Sequence, residues 1–309
     1  MDGILAEVFL FPRGLIRRFL VVERLIQRVI AWMPDLIYHR FNRFYPSLEA
    51  AMSRYPAILE LVSDDIGQVK AHSSRLAYLY HRATRGRILR KAQGIVAMGH
   101  EIADKAAHYK KPMVIIGSSV DLSRYPFPQV PHNSNPRLVF IGAQPALWHG
   151  LDKIPLLARQ FPSWRFDIIG LFGQADIPLP VPSNMVLHGH LDDYRNIMLQ
   201  ADVAIGTLAL HRKGMNETTA LKVPEYLAYG LPVILGYRDS SVPPEAPYVL
   251  QLPNTETNVA DFLPAIEQFV EKWKGKRVPR TEILHLDVHE KEKQRLKFFA
   301  QILSKWNSP

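Results

Sequence analysis

The sequence predicts an α/β protein made of two parallel β/α domains, and three observations carry that expectation. Short apolar runs alternate with helical segments along most of the chain, which is the pattern of parallel β/α units. The chain has 309 residues, 47% of them hydrophobic, enough for two cores. Residues 122–136 carry Pro126, Pro128, Pro131 and Pro136 and read as a linker between the domains.

The elements follow in order. Residues 15–33 predict an amphipathic helix: Leu15, Phe19, Val22, Ile26 and Val29 recur at helical spacing, with Arg17, Arg24 and Arg28 on the other side. Pro12-Arg13-Gly14 separates it from the apolar stretch Ile4 to Phe11. Two readings stand for this helix: packing on a sheet with solvated arginines, the favoured one, or lying on an anionic membrane. One helix can do both. Asp35–Arg40, Ala57–Val62, Gly94–Met98 and Met113–Ile116 are short apolar runs between helical segments and predict four strands. Beyond the linker, Arg137–Gly142, Phe166–Gly170, Val186–His190 and Ala201–Ile205 predict four more. Val288 to Trp306 predicts a charged amphipathic helix with Leu296, Phe299, Ile302 and Leu303 on its apolar side.

The stretch Asn216–Ile234 holds the most chemistry. Glu217 and Glu225 are separated by seven residues, and Lys222 lies between them. The segment reads as a loop, a helix and a buried strand. Thr218 or Thr219 suits the helix cap, Gly230 the left-handed position past its end, and Val233–Leu235 a parallel strand. The free N–H groups and positive dipole at a helix start suit a phosphate. Lys222 adds a mobile cation beside it. Carboxylates at both ends suit hydroxyls such as those of a ribose and a hexose. The chemistry drawn is a sugar nucleotide held by its diphosphate.

Composition narrows the alternatives. No cysteine is present, which excludes disulfides and thiolate metal sites and suits a cytoplasmic setting. The twelve histidines never take metal-ligand spacing on an obvious helix, so no structural metal is expected. The start Met1-Asp2-Gly3 lacks a cationic signal-peptide opening, and no apolar run reaches the length of a membrane span. The net charge of +9 is uneven: residues 1–130 hold 19 Lys+Arg against 11 Asp+Glu, and residues 131–309 hold 19 against 18. The basic half fits an anionic surface, either the inner leaflet of a cell membrane or a lipid-phosphate acceptor. Nucleic acid is not expected as a partner, since no zinc knuckle, aromatic RNA-binding strand or helix-turn-helix spacing is visible.

The segment Glu217, Glu225 and Gly230-Leu231-Pro232-Val233-Ile234 resembles the signature of the retaining glycosyltransferases of family 4, Glu-x7-Glu followed by Gly-x-Pro-Val-Ile. The resemblance extends in order over residues 137 to about 252. Arg137–Gly142 looks like the first donor-domain strand, Trp148-His149-Gly150 like the family's Lys-Gly or His-Gly turn, and Phe166–Gly170 like the second strand. It implies the GT-B fold, two Rossmann-like β/α domains facing each other, the first one reduced. Residues 1–125 would be the acceptor side, 126–136 the linker and 137–285 the donor domain. The helix in 286–309 would cap the second domain or cross back to the first. The implied activity is transfer of a sugar from a UDP-sugar or GDP-sugar, with retention and without metal or other cofactor. The acceptor would be a hydroxyl of a glycan or lipid-linked sugar, in surface polysaccharide or glycoconjugate synthesis. Glu217 would hold donor sugar hydroxyls, Glu225 the ribose, and Lys222 the diphosphate. Gly142, His149, Gly150, Gly170, His190, Thr218 and Thr219 would line the donor. Asp64 and Asp65 stand in the loop corresponding to the acceptor side, where they either face the acceptor or cap a helix; the cap is the favoured reading.

Two departures from the family matter. The first domain looks short and lacks a glycine-rich acceptor loop, since Gly3 and Gly14 do not form one. The chain would then be a fragment, or a reduced member that borrows surface from a protein partner, with a sheet edge to cover. Ala143 stands where many members carry Arg, and His149 where many carry Lys. His149 supplies charge only when protonated, with a free pKa near ~6.5. Lys222, Lys213 and Arg212 remain to compensate. A non-catalytic sugar-nucleotide-binding subunit is the alternative in a different class, and a nucleotide-sugar epimerase on a related frame is a further one.

Overall fold

The computed structural model describes residues 15–41, 43–126, 129–142, 146–170, 176–178 and 180–307. Ile4 to Gly14, Ala143 and linker residue Pro128 lie outside the described residues. The chain divides into two compact units. One comprises Met1–Met98, Ile102–Ile115 and Arg295–Pro309; the other comprises Gly99–Glu101 and Ile116–Gln294.

The first unit contains α1 (Leu15–Ala31), β1 (Ile37–Arg40), α2 (Pro46–Arg54), β2 (Ala57–Leu61), α3 (Asp65–His72), α4 (Arg75–Lys91), β3 (Gly94–Ala97), most of α5 (His100–Ala106) and β4 (Met113–Ile115). The strands form one parallel sheet in the order β1-β2-β3-β4. The runs Ala-Ile-Leu-Glu-Leu and Gly-Ile-Val-Ala are almost wholly buried, as parallel strands covered on both faces must be. Ile26, Phe19 and Val22 of α1 pack on this core, while Arg17, Arg24 and Arg28 are exposed. The sheet-packing reading of the helix therefore holds. β1 pairs only with β2 among the described residues.

The second unit contains β5 (Arg137–Ile141), α6 (Ile154–Gln160), β6 (Arg165–Ile169), β7 (Met185–Gly189), α7 (Arg195–Gln200), β8 (Val203–Ile205), β9 (Glu217–Thr218), α8 (Lys222–Ala228), β10 (Val233–Leu235), β11 (Arg238–Asp239), β12 (Val249–Gln251), α9 (Asn258–Asp261) and α10 (Leu263–Trp273). Its main sheet is parallel, in the order β12-β10-β8-β5-β6-β7. The chain first builds outward from β5 through β6 to β7. It then returns beside β5 as β8 and builds the other way. This is the doubly wound order, with a reversal between β5 and β8. Two apolar cores flank the sheet.

The last helix, α11 (Val288–Trp306), spans the predicted residues. Of its expected apolar side, Ile302 is buried and Phe299 and Leu303 are partly buried, but Leu296 is not. Leu296 is 62% exposed, whereas Phe298 and Ile302 are buried. A Cβ at Gly94 would stand 2.9 Å from Phe298 Cζ and 3.0 Å from Ile302 Cδ1, so glycine lets this helix lie close on β3. The predicted helix cap also fails. α8 begins only at Lys222, after Leu221, with no side-chain cap. Glu217 and Thr218 are held extended by pairing with Arg238 and Asp239. Thr219 instead accepts from Ser118 N at 3.3 Å and shares a hydroxyl bond with Ser118 Oγ at 2.9 Å. The end of α8 follows expectation. Gly230 has φ 74°, its N–H donates to Leu227 O at 2.8 Å, and Leu231 N donates to Tyr226 O at 2.9 Å. No helix among the described residues is long and apolar enough to cross a membrane.

Candidate functional site

In an open parallel sheet, ligands bind beyond the carboxyl ends of the strands where the strand order reverses. Here that point lies past Ile141 of β5 and Ile205 of β8. Lys222, the first residue of α8, sends its amine there. The Nζ atom is buried, has no hydrogen-bond partner among the described residues, and stands 4.1 Å from the centroid of the Phe140 ring. A desolvated cation over a ring gains about 2 kcal/mol, whereas burying an ion costs several kcal/mol. The penalty wins, and burial pulls the amine down to about 7. The expected mobile cation is thus a buried amine that has not met its counter-charge.

His149 joins this cluster, its ring 5.6 Å from that of Phe140. Burial, and then the Lys222 charge, lower its imidazole to about 4. At neutral pH it is uncharged and does not replace a lysine. The turn that carries it is fixed by Gly150 at φ 70°, where a Cβ would stand 2.9 Å from Leu208 Cβ. Leu208 N donates to His149 O at 3.0 Å, and Ala209 N to Trp148 O at 3.1 Å. Arg212 does not compensate either: its guanidinium is engaged by Asp152 at 2.7 and 2.8 Å and by Glu256. Lys213 Nζ sits 5.1 Å from the Trp148 ring centroid.

Glu225 lies three residues further along α8, beside an open cavity of about 290 Å³ that it lines with Tyr194, Arg195, Tyr229, Asp192 and Asp193. Its Oε1 accepts from Tyr194 Oη at 2.7 Å. Burial raises the Glu225 carboxyl, and the Tyr194 bond offsets that in part. Tyr229 meets Tyr125 edge to face at 5.0 Å.

Glu217 is placed differently. It is only 6% exposed. Its Oε1 accepts from Ser240 Oγ at 2.7 Å, from His100 N, and from Glu101 N at 3.4 Å. Glu101 Oε2 returns the interaction, accepting from Asn216 N and Glu217 N at 2.9 Å each. Burial alone would raise Glu217, but Ser240 and the His100 amide hold it below its ordinary value. A Cβ at Gly99 would lie 2.7 Å from Glu217 Oε1, so glycine permits the close approach.

The structure thus gathers Lys222 with His149 and Phe140, Glu225 with Tyr194, and Glu217 with Ser240, His100 and Glu101, as three separate clusters. Gly142 N donates to Ile169 O at 2.9 Å, and Gly170, at φ 139°, donates to Gly189 O at 2.8 Å. His190 is exposed, with Nε2 3.3 Å from Asp192 Oδ1. Asp64 caps α3 through Gly67 N and meets Lys105 Nζ at 3.1 Å. Asp65 is paired with His81 at 2.5 Å and with Arg85 at 2.9 and 3.0 Å. Both carboxylates are already engaged, and the cap is the observed role of Asp64. Sequence reasoning missed Phe140, Tyr194, Ser240, His100 and Glu101, because each reaches its partner from a different element. Among the described residues, no group of three His, Cys, Asp or Glu could hold a metal ion.

No family model matches the chain, and no curated protein matches it. Its fold is nevertheless shared. It is similar to a glycosyltransferase structure from Rickettsia africae at 12% identity and a TM-score of 0.65, covering 98% of this chain and 85% of that one. Anabaena HepE in complex with UDP-glucose matches at 16% identity and 0.64, over 91% and 82%. The lipopolysaccharide outer core galactosyltransferase WaaB matches at 13% and 0.61, over 92% and 80%. Two Rossmann-like α/β units in this arrangement of chain and sheet define the class as GT-B.

Proposed function

We propose that the protein is a retaining glycosyltransferase of the family 4 kind, which moves a sugar from a nucleoside-diphosphate sugar to a hydroxyl of a glycan or lipid-linked acceptor. The observation that carries this reading is the buried, unbonded Lys222 amine at the reversal of a doubly wound sheet. An unmet amine there suits the oxygens of a diphosphate, which would restore its charge. Glu225, held by Tyr194 beside an open cavity, would accept from ribose hydroxyls. Glu217 would contact donor sugar hydroxyls through Oε2, which stands 3.7 Å from Arg238 Nε. Gly142, Gly150 and Gly170 would let backbone approach the donor. Anabaena HepE was seen with UDP-glucose and with UDP and glucose, which supports the donor class.

In this reading the acceptor hydroxyl attacks the face from which the nucleotide departs, and the departing phosphate takes its proton. The protein positions groups and stabilises charge. Residues 137–285 would serve the donor and residues 1–125 the acceptor, at the cytoplasmic face of a membrane. Isothermal titration with UDP and GDP, for the full chain and Glu225→Ala, tests donor binding. Nucleotide release with and without a glycan acceptor tests transfer. Absence of nucleotide binding by the unaltered protein would sink the reading.

One observation favours a second reading, a sugar-nucleotide-binding subunit without catalysis. Glu217 Oε1 is already taken by Ser240 and two backbone amides. Nucleotide binding without acceptor-dependent release would select it.

A further inference from the structure

A second cavity, of about 380 Å³, lies within the second unit beside Ser240 and His100, the partners of Glu217; its walls also include Arg238, Lys291 and His285. Its polar lining is cationic or neutral. Lys291 is 8% exposed, and among the described residues its ammonium makes no hydrogen bond or ion pair. Burial lowers its pKa, with only the through-space pull of Asp239 opposing. His285 is lowered by burial and then by the Lys291 charge, which favours its neutral form, and its Nε2 lies 3.2 Å from Ser241 O. Arg238 is half-exposed, with Nε 3.7 Å from Glu217 Oε2.

Glu217 serves Arg238 at 3.7 Å and lies 3.4 Å from His100 Nδ1, but among the described residues no carboxylate pairs with the Lys291 ammonium. Glu217 Oε1 is occupied by Ser240 and backbone amides. Asp239 accepts from Tyr237 Oη at 2.9 Å, from Ser241 N at 2.9 Å and from the Ser241 hydroxyl. Burial raises the Asp239 carboxyl, which weakens it as a counter-ion. The Lys291 side chain is nine-tenths buried, faces this cavity with a guanidinium and two imidazoles, and has no counter-anion of its own among the described residues.

We propose that this cavity is an oxyanion subsite that takes a carboxylate or phosphate group carried on a sugar. The anion would accept from Lys291 Nζ and Arg238, with His100, His285 and the Ser240 hydroxyl as neighbours. The sugar as carrier rests on the glycosyl-transfer reading, in which Glu217 beside the cavity meets sugar hydroxyls. The oxyanion chemistry does not rest on it.

Isothermal titration on the full chain and on Lys291→Met decides the matter. Methionine keeps the bulk of the stem and removes the unmet charge, so the variant should fold. Arg238→Gln, at a half-exposed position, is the second variant. Inorganic phosphate at fixed ionic strength should bind the unaltered protein, and binding should be lost in Lys291→Met and weakened in Arg238→Gln. Two matched pairs identify the carrier: UDP-glucuronate against UDP-glucose for the donor, and glucose 6-phosphate against glucose for the acceptor. The charged member of one pair should bind about 10- to 100-fold tighter, as expected for hydrogen bonds to a charged group. That preference should vanish in Lys291→Met while UDP alone binds both proteins equally. Phosphate binding that is absent, or equal in all three proteins, overturns the subsite. UDP that fails to bind the unaltered protein overturns the glycosyl-transfer reading alone, because the phosphate titration stands without it.

Discussion

Tyr194 donates its hydroxyl to Glu225 Oε1 at 2.7 Å, so a residue just before α7 orients a carboxylate on α8. Both residues line the same open cavity. If Glu225 reads the ribose, Tyr194 sets the direction from which it does so. Tyr194→Phe should therefore weaken UDP by about tenfold, near the low end of a bond to a charged group. It should weaken 2′-deoxy-UDP less. Equal losses for the two nucleotides in isothermal titration would remove Tyr194 from ribose recognition.

Glu217 and Glu225 should respond to pH with opposite sign. Glu225 is raised in the folded protein, so its contribution to stability is full below the ordinary carboxylate range and is lost as pH climbs through the raised value. Glu217 is lowered, so its contribution is present above its ordinary value of 4.5 and is lost as pH falls through the folded value. Between about pH 3 and 7, the Tm of Glu225→Gln relative to the unaltered protein should rise with pH. That of Glu217→Gln should fall. Parallel slopes in a calorimetric series would contradict the two environments.

Lys222→Met should raise stability and abolish tight nucleotide binding together. The amine is lowered from 10.5 to about 7, so its favourable state is present above 10.5 and is lost as pH falls through about 7. The gain in Tm from Lys222→Met should be largest at and below neutral pH and vanish toward pH 10.5. A variant that is less stable at neutral pH would mean that the amine is satisfied in solution.

The exposed face of α1 presents Arg17, Leu20, Arg24 and Arg28. Flotation with vesicles should show binding that requires anionic lipid and weakens as added salt shortens the Debye length. Binding indifferent to both lipid charge and salt would exclude this face as an electrostatic anchor.

The sheet positions were legible because parallel strands buried on both faces write themselves as apolar runs. Gly94–Ala97 and Val233–Leu235 are examples. Gly230 was legible because its left-handed backbone and position past α8 are local. What stayed hidden was set by partners far along the chain. The pairing of Glu217 with Arg238 delays the start of α8 and moves both threonines out of the cap. On α11, Leu296 and Phe298 are equally apolar, and only the close approach to Gly94 selects Phe298. The burial of Lys222 depends on Phe140 of β5, to which no residue spacing points.

The first unit is also closed by residues from the end of the chain, since Phe298 and Ile302 cover Gly94 of β3. During synthesis about 200 residues separate the two, which at ribosomal speed is roughly 10–40 s. Until Phe298 and Ile302 are made, β3 lacks this cover at Gly94, whereas residues 116–294 are complete a few residues earlier. The unit synthesised before residues 116–294 is completed after them.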